Sequence, residues 1–183
     1  MKPHTLQTKT TLFLLVDIQE KLLPAIHSHQ DVLRNVKKLL IAAQVMSIPV
    51  RYTEQYPQGL GTTIQDLREY LEDPPFEKQS FGCFNEQGFN EYIFCPQKTQ
   101  VVLFGIESHI CIHTTALQFL KREYQVAVVA DACGSRNPEH HRLALSNMTA
   151  CGVHVLPLES VIYQLLQRAG TPEFSKLLPL FKN

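Results

Sequence analysis

The sequence predicts an α/β fold: a doubly wound, Rossmann-like three-layer sandwich around a mainly parallel sheet of five to six strands. Three observations point there. Short apolar runs such as TLFLLV (11–16) and TQVVLF (99–104) are almost unbroken by polar residues, as strands covered on both faces are. Segments with helical spacing of apolar residues alternate with these runs, which is the pattern of crossover connections in a parallel sheet. And 183 residues fit one domain, residues 1–183, long enough to bury a core without staples.

The elements follow in order. After the strand at 11–16, DVLRNVKKLLIAAQVM (31–46) repeats Val32, Leu33, Val36, Leu39, Leu40 and Ala43 at helical spacing, with Asp31 available as N-cap. IPVRYT (48–53) is the second strand. TQVVLF is the third, followed by a helix from about Ile110 to Glu123. QVAVVA (125–130) is the fourth, and a helix runs from Pro138, suited to a first turn, to Cys151. VHVLP closes the strand series, and a last helix over 158–168 stops at Gly170 and Pro172. Residues 55–96 break this rhythm. They hold YPQGLGTT, a short helical stretch, the turn EDPP and then EKQSFGCFNEQGF, too long for an ordinary connection and therefore a functional excursion. The tail TPEFSKLLPLFKN carries Phe174, Leu177, Leu178, Leu180 and Phe181, which must cover either their own domain or a second subunit.

Composition removes several classes of function. Seventeen basic and seventeen acidic residues give a formal net charge of zero. That leaves no electrostatic footprint for nucleic acid and no basic face for a membrane surface. No run of eighteen apolar residues exists, so no transmembrane helix is expected. The first residues, MKPHTLQTKTT, lack an apolar signal core and the arginines of a transit peptide. The five cysteines are scattered and form no CxxC pair, which fits a reducing, cytoplasmic location rather than a disulfide framework.

Ligands of open parallel sheets bind outside the carboxyl ends of the strands. Asp17 follows the first strand, Thr53 and Glu54 the second, the 105–111 loop the third, and Asp131 the fourth. Cys111 stands where a helix begins. Free N–H groups and the helix dipole there favour an anion, so its thiol pKa is expected to fall. Lys78 lies in the excursion that can fold over the same rim. Position alone leaves each residue an ordinary reading as well: Cys111 as an inert helix residue, Asp17 as a cap, Lys78 as a solvated lysine.

Four segments in the same order resemble the isochorismatase-like cysteine hydrolase superfamily over essentially the whole chain: LLVDIQEKL, FEKQSFGCF, VVLFGIESHICIHTTAL and ADACGSRNPEHHRLAL. The resemblance implies a catalytic triad of Asp17, Lys78 and Cys111. It also implies a cis peptide bond at Ile106–Glu107, which turns the Glu107 N–H toward that of Cys111 as an oxyanion hole. The chemistry implied is acyl transfer from a small amide or related acyl substrate, through a thioester on Cys111. A non-catalytic interaction protein that keeps the fold is the alternative.

Members of that superfamily that hydrolyse the vinyl ether of isochorismate lack the cysteine, and nicotinamidases carry an Asp-x-His metal pattern after the second strand. Here that position reads TEQYPQGLG, so neither metal nor cofactor is expected. His109 and His113 find no third ligand in HExxH form. Candidate substrate-binding residues are Gln19 near the triad and Tyr56, Leu60, Phe81 and Phe84 in the excursion. The expected partners are a small-molecule substrate and, as in related proteins, further copies of the chain in a homo-oligomer (dimer, tetramer or larger).

Overall fold

The computed structural model describes residues 5–182. The N-terminal residues 1–4, part of the segment read for targeting signals, and Asn183 lie outside them. Six strands form one sheet: β1 (Thr11–Val16), β2 (Val50–Gln55), β3 (Phe76–Lys78), β4 (Gln100–Ile106), β5 (Gln125–Gly134) and β6 (His154–Leu156). Their order is β3-β2-β1-β4-β5-β6, and every neighbouring pair is parallel. All residues of β1 and β4 are buried, as their unbroken apolar runs require of central strands.

The helices are α1 (His29–Met46), the short α2 (Pro57–Leu60), α3 (Gln65–Arg68) and α4 (Phe89–Ile93), then α5 (His113–Leu120), α6 (Pro138–Ala150), α7 (Leu158–Leu166) and α8 (Pro172–Leu177). α1, α7 and α8 pack together on one face of the sheet, and α5 and α6 on the other. The chain leaves β1 toward β2 on one side and later enters β4 on the other. The β1/β4 boundary is therefore the topological switch point, where a ligand crevice is expected.

Several boundaries differ from the sequence reading. α1 starts at His29, so Asp31 sits in its first turn paired with Arg34 instead of capping it. β2 runs on to Gln55 and β5 to Gly134. Asp131 is consequently inside a strand, where its Oδ1 accepts from the Leu158 N–H (2.7 Å) and caps α7 rather than facing the carboxyl rim. β3, which the apolar pattern did not mark, pairs with β2 through Thr53–Phe76, Glu54–Glu77 and Gln55–Lys78. The tail covers its own domain: Leu177 is buried, and Phe174 and Phe181 contact the Tyr163 ring.

The excursion is anchored by aromatics. Phe84 meets Phe89 and Phe119 edge-on, with ring centroids 4.9 and 4.7 Å apart, and Phe76 meets Phe89 at 5.1 Å. These contacts tie β3, the strand that carries Lys78, and α4 to α5.

Candidate active site

Each functional side chain is set by the end of a strand. Val16, the last residue of β1, pairs with Gly105 of β4. A Cβ at Gly105 would lie 2.2 Å from the Val16 carbonyl oxygen, and its φ is +122°, so only glycine permits the approach. The next residue, Asp17, has φ of 53°, a left-handed turn off the strand. Its carboxylate is fixed at both oxygens: Oδ1 accepts from Thr53 Oγ1 (2.6 Å) and Oδ2 from Lys78 Nζ (2.7 Å). Beyond Gly105, the Ile106–Glu107 bond is cis, and a π-helical turn, Ser108–Ile112, leads into α5. Cys111 lies in this turn. The Ile110 and Ile112 N–H groups both donate to the Glu107 carbonyl, bypassing the Cys111 N–H between them.

Lys78 joins the two halves. Its ammonium donates to Asp17, to Gln55 Oε1 (2.6 Å) and to Cys111 Sγ (3.6 Å). Asp17, Lys78 and Cys111 are 1%, 2% and 7% exposed, so the cluster sits in a desolvated pocket where charges act strongly on one another. Burial opposes the charge of Lys78, but Asp17 and then Cys111 outweigh it and hold the ammonium above its usual range. Burial, and then the Asp17 charge, push the Cys111 thiol up, against the lowering effect of Lys78. The sequence expectation of a lowered thiol pKa is thus overturned. The turn buries Cys111 beside a carboxylate, and desolvation exceeds any benefit of the helix start. The arrangement places a protonated thiol and a carboxylate on the same ammonium, with the carboxylate as the nearby base.

The far wall of the turn is polar, with two histidine–serine pairs and the Glu107–Arg136 ion pair. His109 Nδ1 pairs with Ser135 Oγ (2.9 Å), and Ser108 Oγ with His141 Nδ1 (2.8 Å). Burial lowers the pKa of both histidines. Glu107 Oε2 accepts from the Arg136 N–H (2.9 Å). These contacts clamp the turn that carries Cys111 to the loop after β5 and to α6. Among the described residues no group of three or more His, Cys, Asp or Glu could hold a metal ion.

The candidate substrate residues divide. Tyr56 and Phe81 are exposed, and Tyr56 lines a surface cleft with Lys78, Ser80 and Glu86. Leu60 is half-buried in α2, its carbonyl accepting from the Lys21 N–H (3.2 Å), and is not among the lining residues of that cleft. Phe84 belongs to the aromatic core, with the Arg122 guanidinium 3.9 Å above its ring, so it is not a pocket wall. Gln19 is fully buried and spends its amide on the backbone of Gln55 and Gly61, which makes it scaffold rather than substrate contact. Two broader clefts, one beside Met46 and Leu166 and the other beside Ile48 and Tyr70, lie toward the amino ends of the strands, away from this chemistry. Sequence reasoning missed Gln55 in the site. A second strand read as ending at Thr53 hid it, and the register of β2 with β3 is the signal that reveals it.

The isochorismatase domain family matches residues 11–160 of the chain. Isochorismatase domain-containing protein 2 from Danio rerio is 39% identical over 176 residues, covering 96% of this chain and 88% of the relative. Isochorismatase domain-containing protein 1 from Salmo salar is 35% identical over 173 residues, and there the match spans 94% of this chain but 61% of the relative's length. Among solved structures, that of the MAR1 ribonuclease from Caenorhabditis elegans superposes with a TM-score of 0.90 at 29% identity, covering 97% of this chain and 92% of that one.

Proposed function

Since the chain belongs to the isochorismatase family, we propose that it is a cysteine hydrolase of small amides or related acyl compounds, working through Asp17, Lys78 and Cys111. One observation carries this reading: a single buried ammonium touches both the Asp17 carboxylate and the Cys111 sulfur. Asp17 takes the thiol proton as sulfur attacks the carbonyl carbon, and Lys78 stabilises the sulfur anion that forms. The backbone N–H groups of Glu107 and Cys111 hold the oxyanion. Asp17 then returns the proton to the departing amine, leaving a thioester on Cys111. A water molecule gives its proton to Asp17, attacks the thioester and releases the carboxylic acid. The sulfur departs as the thiol, reprotonated from Asp17.

The raised thiol pKa suits this order of events. A free thiolate is not required at rest, because Asp17, the base, shares the Lys78 ammonium with the thiol. A screen of small amides, following ammonia release with wild type and Cys111→Ala side by side, tests the reading: the wild type turns over at least one amide and the variant none. Turnover that survives in Cys111→Ala would reject it. A non-catalytic scaffold that keeps the fold predicts no release from either.

The relative described as a ribonuclease favours a second reading, RNA cleavage. The net charge of zero supplies little attraction for a polyanion. An RNA oligonucleotide carried in the same screen is expected to stay intact. The resemblance also supports a homo-oligomer. Because the tail covers its own domain, light scattering at micromolar concentration is expected to give the same multiple of the chain mass with and without residues 172–183.

A further inference from the structure

We propose that Gln55 is a positioning residue that aims the Lys78 ammonium at the Cys111 sulfur; the inference rests on the cysteine hydrolase reading. A lysine ammonium has three donors and no acceptor, and in a desolvated site each donor left unpaired is costly. Here all three are directed: to Asp17 Oδ2 at 2.7 Å, Gln55 Oε1 at 2.6 Å and Cys111 Sγ at 3.6 Å. The carboxylate alone would draw Nζ toward itself. A second, neutral acceptor balances that pull and leaves the third N–H facing sulfur.

Gln55 is built for this task. It is the parallel-sheet neighbour of Lys78, so the two side chains leave adjacent strands at the same level. Its amide cannot flip without loss, because Nε2 donates to the Gln79 carbonyl (2.7 Å) and so keeps Oε1 on the ammonium. Its backbone is gripped at both ends by one side chain: Gln19 Oε1 accepts from the Gln55 N–H (2.7 Å), and Gln19 Nε2 donates to the Gln55 carbonyl (2.9 Å) and to that of Gly61 (2.6 Å). Thr53, two residues earlier on the same face of β2, holds Asp17 in the same manner. A carboxylate at position 55 would also accept from Nζ, but it would set a second negative charge beside the sulfur and disfavour its anion. The neutral amide avoids that.

The test needs no substrate. In protein labelled with 15N-lysine, a hydrogen-bonded buried ammonium exchanges slowly with water, and the signal lost in Lys78→Met is that of Lys78. Gln55→Leu, which removes the acceptor, is expected to shift this signal and speed its exchange about tenfold or more. Gln55→Glu, of the same shape, is expected to retain it. Iodoacetamide alkylation of Cys111 at pH 8, followed by peptide mass, is expected to slow about tenfold in both variants, the effect of roughly one pK unit. The exposed Cys151 of the same molecules serves as the internal reference. An unchanged ammonium signal in folded Gln55→Leu overturns the proposal. If that variant does not fold, loss of the slowly exchanging signal in Gln55→Glu overturns it instead. Failure of the hydrolase reading is separate, since it shows as amide turnover that persists in Cys111→Ala while the ammonium still responds to Gln55→Leu.

Discussion

Two buried thiols share one side of this molecule and differ in what stands next to them. Cys83, in the turn Cys83–Asn85, is fully buried, and burial pushes its pKa up to about 12. Cys111, in the turn before α5, is nearly as buried and its pKa is also raised. Neither burial nor acidity separates them. Their partners do: Cys83 Sγ accepts from Thr115 Oγ1 (3.3 Å), whereas Cys111 Sγ accepts from Lys78 Nζ, an ammonium that also donates to the Asp17 carboxylate. In the mechanism proposed above, Cys111 serves as nucleophile because a base and a cation are within reach, not because its resting thiol is already acidic.

The largest expected difference follows directly. Cys111→Ala should lower amide turnover by about 10³-fold or more. Cys83→Ala should keep turnover and lose about 1 kcal/mol of stability through the small cavity it leaves, which a denaturant titration reads. Equal losses of turnover in the two variants would erase the distinction. Next in size is Asp17→Asn, which preserves shape but removes the base. Turnover is expected to fall by about 10² to 10⁴-fold, while a circular dichroism melt still shows a cooperative fold.

The smallest effect is one in which the two thiols behave alike. Cys83, Cys111 and Cys133 all have pKa values raised above the ordinary 9.0. A raised folded-state value means that the folded protein keeps its proton when the unfolded chain has lost it, so this stability is complete below pH 9.0 and is lost as pH rises. Lys78, raised above 10.5, adds to the loss at higher pH. His109 and His141 are lowered from 6.5, so their contribution is present above that value and is lost as pH falls. Denaturant titrations should therefore show a plateau between about pH 6.5 and 9 with declines on both sides. Cys83→Ala and Cys111→Ala should each flatten the alkaline decline.

The contrast also marks what the sequence could reveal. The central strands were legible because a strand buried on both faces must be apolar throughout, as TLFLLV and QVVLF are. Asp17 and Cys111 were legible as reactive side chains at the carboxyl rim of such strands. Lys78 was legible only as a lysine in the excursion that can fold over that rim, and its triad role came from the resemblance. Its strand, Phe-Glu-Lys, has three residues and no apolar pattern, and it forms because β2 offers an edge and Phe76 an anchor. Gln55 was not legible, since a glutamine carries no chemical signature until a neighbouring strand brings an ammonium to its oxygen. The acidity of Cys111 was misjudged for a related reason: helix position can be read from a sequence, but the burial that outweighs it belongs to the tertiary structure.

The proposed mechanism requires that Cys111 be acylated during turnover. The most direct measurement is to mix the protein with an amide it hydrolyses, quench in acid within the first turnover, and map the mass of the modified peptide. An acyl group is expected on the Cys111 peptide, removed by hydroxylamine as a thioester is, with the Cys83 peptide unmodified. Turnover with no adduct on Cys111, unaffected by Cys111→Ala, would contradict it.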